Sequence, residues 1–196
     1  MPEDTDIATV LYEFIVRGKL AAPCQLLIRP HFSYKDDEQK FAHLFGKEGV
    51  AVDRSNTPSS AFRDHGDYSL VHMDRFANSL FHADIVVNVA STITLDAAAF
   101  DKPVINVAFE PQLTVPANVQ PVTSFYESDY FLEIVKTGAS KIAYSKGELL
   151  NYLNRYLSSP SSEASERKEL RRRFCYRVDG GAGKRFAELV IKEVSH

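Results

Sequence analysis

Residues 83–107, ADIVVNVASTITLDAAAFDKPVINV, hold the clearest alternation of element types in the chain. Residues 85–89 and 104–107 are short β-branched runs without polar alternation, the pattern of strands buried on both faces of a parallel sheet. Between them, small hydroxyl residues form a turn that leads into a helix over about residues 95–100. The whole reads as one parallel crossover unit whose turn lies at the carboxyl end of its first strand.

The pattern extends in both directions. Apolar residues Ile7, Val10, Leu11, Phe14 and Ile15 recur at helical spacing over residues 7–17, with Asp6 as the expected cap and Gly18 as the stop. Residues 25–28 predict a short strand ending in Arg29-Pro30-His31, where Pro30 cannot continue a central ladder. A short helix over 41–45 and a strand over Val50–Val52 follow, then a loop over 54–66 that is rich in Ser, Pro, Asn and Asp. Met73, Phe76, Ala77, Leu80 and Phe81 form a helical stripe that feeds the strand at 85–89.

Downstream, the proline-containing span 109–121 is too irregular for a core element and too apolar for a free linker, so it is expected to wrap the sheet edge. A helix over 130–136, a strand over 141–144 and an amphipathic helix over 146–157 capped by Ser145 complete the alternation. A Ser-rich break at 158–165 precedes a basic helix over 166–173, the run DGGAG, and a last helix over 184–194. Strands alternating with helices predict an α/β, Rossmann-like fold with a mostly parallel sheet, helices on both faces and right-handed crossovers.

At 196 residues and 44% hydrophobic content the chain has the length of one domain. A formal net charge of −3 offers no global attraction to nucleic acid or to an anionic membrane, so any anion site must be local. Cys24 and Cys175 have no metal-ligand or disulfide-framework spacing, and both are expected to be reduced and buried. No apolar run approaches the roughly 20 residues that span a bilayer, and the acidic start lacks the regions of a signal peptide, which predicts a cytoplasmic chain.

Two constellations carry candidate chemistry. Ser91, Thr92 and Thr94 sit where a strand hands over to a helix, a place where free backbone N–H groups and hydroxyls bind phosphate; an ordinary capping turn uses the same residues. Asp96, one turn into that helix, can accept hydrogen bonds from ribose hydroxyls if it faces the cleft, or can favour the helix dipole from any face. Arg29 and His31 pair a forked guanidinium with an imidazole at a strand's carboxyl edge, suited to a diphosphate. The alternative for Arg29 is a pairing with an acidic loop.

Other motifs carry less. DGGAGKR at 179–185 lacks the spacing of a nucleotide-triphosphate loop, and a tight turn capped by Asp179 accounts for it. Arg171, Arg172 and Arg173 are adjacent on a helix and point in different directions, so they form no single binding face. The histidines show no metal-ligand spacing, and no metal or cofactor is assigned.

LLIRPHF at 26–32, ADIVVNVASTITLDAAAFDKPVINVAFE at 83–110 and RFCYRVDGGAGKRFAELV at 173–190 together resemble the C-terminal, nucleotide-binding half of glycosyltransferases of the two-domain GT-B architecture. The nearest similarity is to proteins related to CDP-glycerol glycerophosphotransferases and UDP-N-acetylglucosamine 2-epimerases. The resemblance implies a domain that binds a nucleotide diphosphate sugar or polyol donor, with Ser91 and Thr92 at the diphosphate, Asp96 near the ribose, and Arg29 and His31 as the basic strand-end pair. Aspartate stands at position 96 where many such transferases have glutamate, and Ala90 stands where related chains often have glycine. One domain's length implies a fragment of a longer enzyme whose N-terminal domain binds the acceptor. The catalytic residue is not identified. Two other readings stay open: a fragment of a nucleotide-sugar 2-epimerase, and a non-catalytic domain that binds a nucleotide or a protein.

Overall fold

The computed structural model describes residues 2–30, 37–53, 69–110 and 121–195. Every strand pair in it is parallel. Helix α1 (Pro2–Val16) precedes β1 (Leu26–Ile28), a 3-10 segment (Asp37–Leu44) and β2 (Val50–Val52). Helix α2 (Leu70–His82) leads into β3 (Val86–Asn88), α3 (Ile93–Ala99) and β4 (Val104–Val107). A second 3-10 segment (Val122–Glu127), α4 (Asp129–Val135), β5 (Ser140–Ala143) and α5 (Lys146–Ser158) follow. The chain closes with α6 (Ala164–Leu170), a π-helical turn (Arg171–Cys175) and α7 (Ala182–Val194).

The strands form a two-stranded sheet, β1-β2, and a three-stranded sheet, β3-β4-β5. In the larger one, Val86 pairs with Val104, Asn88 with Asn106, and Val104 with Ser140. Central strand β4 is buried along its whole length, which is why it carries no polar alternation. Its side chains alternate between faces, and the two faces have different partners. Ile105 and Val107 pack with Ile7, Val10 and Phe14 of α1 and with Leu149, Leu153 and Tyr156 of α5. Val104 packs with Leu80 of α2, Val86 of β3 and Ala97 of α3. Helices therefore cover both faces, and the α/β, Rossmann-like class expected from the sequence is the one observed. Where a single sheet is expected the described residues form two, both covered by α1, whose Ala8 packs with Ile28, Phe41 and Leu44 at the smaller one.

Local chemistry explains the element ends. Helix α1 starts ahead of the expected cap, so Asp6 lies inside it, with Pro2 tolerated in the first turn. Gly18 ends it as expected, with φ at +58° and Lys19 N–H bonded to the Phe14 carbonyl at 3.0 Å. Ser145 caps α5 through its hydroxyl, which accepts the Glu148 N–H, while the Glu148 carboxylate accepts the Tyr144 N–H at 2.7 Å. Cys24 and Cys175 are free but only half-buried, less enclosed than expected. Helix α7 buries none of its residues and leaves Phe186, Leu189, Ile191 and Val194 exposed. Among the described residues no helix is long and apolar enough to cross a membrane. The expected loop at 54–66, His31 and most of the span 109–121 lie outside the described residues.

Candidate functional site at the β3–α3 turn

Strand β3 ends at Asn88, and the four residues after it form a turn whose amides are mostly consumed within the protein. Ser91 N–H donates to Asn88 Oδ1 at 3.2 Å, Ile93 N–H to Ser91 Oγ at 3.4 Å, and Thr94 N–H to the Ser91 carbonyl at 3.0 Å. Ala90 N–H donates to the Tyr126 hydroxyl at 3.1 Å, and that hydroxyl donates to the Val107 carbonyl at 2.6 Å. Among the described residues, Thr92 is left with an N–H that has no protein acceptor. Its side chain makes no capping bond, and the residue is exposed. The expected row of free amides thus narrows to one. Beside it stand two hydroxyls, because Ser91 Oγ accepts from Ile93 and keeps its own proton to donate.

Ala90 occupies this turn at φ +26°, on the left-handed side where a Cβ is strained. Ala90→Gly is expected to raise stability by about 0.5 kcal/mol, the relief of strain exceeding the extra entropy of the unfolded chain. A urea titration showing a destabilised Ala90→Gly variant would contradict the strain.

Thr94 does not face a ligand. It is fully buried, as is Asn106, and Ser140 is nearly so. Thr94 Oγ1 donates to Asn106 Oδ1 at 3.3 Å, and Asn106 Nδ2 donates to Ser140 Oγ at 3.0 Å, a polar seam that ties the first turn of α3 to β4 and β5. Thr94, Ala97 and Ala98 are the buried positions of α3, and their i, i+3, i+4 spacing puts Asp96 on the outward side. Asp96 is exposed, yet burial of its carboxyl group by neighbouring atoms raises its pKa. The two statements describe one geometry, a side chain reachable by solvent whose carboxyl end is partly enclosed. Cys175 is one of those neighbours: its thiol is raised by burial and then by the charge of Asp96.

Arg29 projects from the end of β1. Its Nη1 donates to Asp53 Oδ2 at 2.5 Å and to Ser79 Oγ at 3.2 Å, with the guanidinium 5.4 Å from the Phe76 ring centroid. Asp53 is held there by its own N–H, bonded to the Ile28 carbonyl at 2.8 Å. The pairing with an acidic loop residue is therefore present, and it uses one edge of the fork. Nε and Nη2 make no hydrogen bond among the described residues. Ser91, Thr92 and Asp96 are thus brought together on one connection. Arg29 makes no hydrogen bond or ion pair with them and is linked only through packing, because Phe76 and Ile93 flank the same cluster of Leu80, Val86, Ala97 and Val104.

Three residues of the site were not singled out in the sequence: Asn88, Tyr126 and Asn106. Asn88 Nδ2 is buried without a hydrogen-bond partner among the described residues, directly beneath the turn. Among the described residues no three His, Cys, Asp or Glu side chains lie together as a metal site. A depression of about 450 Å³ lies elsewhere, lined by Ile15, Leu20, Pro23 and Cys24 at the amino edge of β1. No family model matches the chain, and neither a curated protein nor a solved structure is significantly similar to it.

Proposed function

We propose that this domain binds the diphosphate of a nucleotide-activated sugar or polyol at the β3–α3 turn, as the donor-binding half of an enzyme that transfers a glycosyl or glycerophosphoryl group. The observation that carries the reading is the unpartnered Thr92 N–H with the Thr92 and Ser91 hydroxyls beside it, at the carboxyl edge of a parallel sheet. Open α/β sheets take ligands at that edge, and phosphate oxygens accept from N–H and hydroxyl donors. In this reading Arg29, held by Asp53 through one nitrogen, offers Nε and Nη2 to a phosphate, and His31 adjoins it in sequence. Asp96, outward and unpaired with any cation among the described residues, is suited to accept from ribose hydroxyls.

Donors fixed around the diphosphate stabilise the charge that develops on it as the transferred group departs. The acceptor and the base that activates it belong, in this reading, to an N-terminal domain. Thr92→Val removes a hydroxyl and little volume, and is expected to weaken nucleoside diphosphate binding about tenfold, the value of a hydrogen bond to a charged group. Nucleoside binding should change less than twofold. Calorimetric titration with UDP, CDP and GDP and the matching nucleosides checks this, and equal losses for both ligand types would refute the site. If none of the three diphosphates at millimolar concentration shifts the Tm of the unaltered protein, the functional reading itself falls.

A further inference from the structure

The Tyr126 hydroxyl occupies an unusual place, because it joins two strand tips at once. It donates to the Val107 carbonyl at the end of β4 and accepts the N–H of Ala90, the strained residue that follows β3. The ring is 5% exposed and packs edge-on against Phe131, 5.4 Å between centroids, so the hydroxyl has a fixed origin. A residue held on the left-handed side without being glycine persists only when its surroundings determine it. Of the contacts around Ala90, its N–H bond to Tyr126 is the one that fixes the peptide directly, while Asn88 fixes the next peptide through Ser91.

We propose that Tyr126 is a positioning residue for the diphosphate: its hydroxyl holds the Ala90 peptide so that the Thr92 N–H and the Ser91 and Thr92 hydroxyls point outward as one set. The inference rests on the donor-site reading above, and it adds a residue that touches no ligand. The hydroxyl is shielded from solvent and both its hydrogen bonds go to backbone, so its effect on ligand passes through the turn alone. Without it, Ala90 relaxes toward negative φ and the three donors diverge.

Tyr126→Phe keeps the ring and deletes the clamp. Amide exchange at Ala90 is expected to quicken about tenfold while Val86–Asn88 stay protected. The affinity for whichever of UDP, CDP and GDP the unaltered protein binds best is expected to fall about tenfold, and that for the matching nucleoside less than twofold. Adding Ala90→Gly, which adopts the turn conformation without strain, is expected to restore part of the lost affinity. A residue with only a structural role would lower the Tm and leave the ratio of diphosphate to nucleoside affinity unchanged, and that result overturns the proposal. The double variant, measured against Ala90→Gly alone, carries the same test if Tyr126→Phe does not fold. Should the unaltered protein bind no diphosphate, the donor-site reading fails on its own account, and unchanged exchange at Ala90 in Tyr126→Phe then overturns the clamp separately.

Discussion

Arg167→Ala is expected to lower the free energy of unfolding by about 3 kcal/mol, from lost hydrogen bonds to backbone acceptors and the cavity left by a large side chain. Arg167 is 1% exposed, the largest fully buried side chain among the described residues. Its Nη1 donates to the Ser162 carbonyl at 2.5 Å, Nη2 to the Pro160 carbonyl at 3.3 Å, and Nε to Asp101 Oδ1 at 2.9 Å. These bonds join the loop before α6 to Asp101, just past the end of α3. Asp101 is half exposed, so its charge contributes little and the carbonyls carry most of the cost. Denaturant unfolding followed by circular dichroism would show the loss, and a change under 1 kcal/mol would refute the packing role.

The same pair predicts an acid response. Burial pushes the Asp101 carboxyl up, but hydrogen bonds from Arg167 and Arg171 and their charges outweigh it, so its pKa falls below the ordinary 3.8. A carboxylate with a depressed folded pKa contributes stability above its unfolded pKa and loses it as pH falls through the folded one. That part of the acid sensitivity, at pH values below 3.8, should vanish in Asp101→Asn, whose side chain also tolerates the left-handed backbone at φ +57°.

The second large effect belongs to the seam beneath α3. Asn106→Leu keeps the branching of a fully buried side chain, at a larger volume, but leaves the hydroxyls of Thr94 and Ser140 without their partner, at an expected cost of about 3 kcal/mol. The substitution adds apolar area, so a purely hydrophobic account predicts a gain. A raised urea midpoint would therefore contradict the seam as what holds the first turn of α3 in place.

How legible these features are in the sequence depends on how local their causes are. Strands β2 and β4 were readable to the residue, because short β-branched runs without alternation have few other uses in a chain of this kind. The α5 cap was readable because Ser145 acts on an amide three residues away. Thr94 reads like its neighbours Ser91 and Thr92 as a turn hydroxyl, yet its spacing to Ala97 and Ala98 carries the signal that it turns inward. Asn88 and Asn106 gain their meaning from cross-strand register, which places them side by side and which no single segment encodes.

Tyr126 was illegible for a stronger reason. It lies on a short 3-10 segment without periodicity, and its two partners are 36 and 19 residues away in the chain. The division of the strands into two sheets was equally hidden, since the runs at 26–28 and 86–88 look alike and pairing depends on what packs between them. For Arg29 the sequence admits an acidic loop partner, and Asp53 is that partner, bonded at the carboxyl end of β1. The pairing constrains the guanidinium without using up its donors.

All of this makes the Thr92 N–H the open backbone donor of the β3–α3 turn among the described residues. The most direct measurement is a nitrogen-15 amide NMR titration of the protein with inorganic pyrophosphate and with UDP, CDP and GDP, following Thr92 and its neighbours. A phosphate oxygen accepting from Thr92 should move that amide downfield in a saturable manner, with smaller shifts at Ser91 and little at Ala90, whose N–H is already bonded to Tyr126. Saturation that shifts other amides while Thr92 stays still would contradict the account.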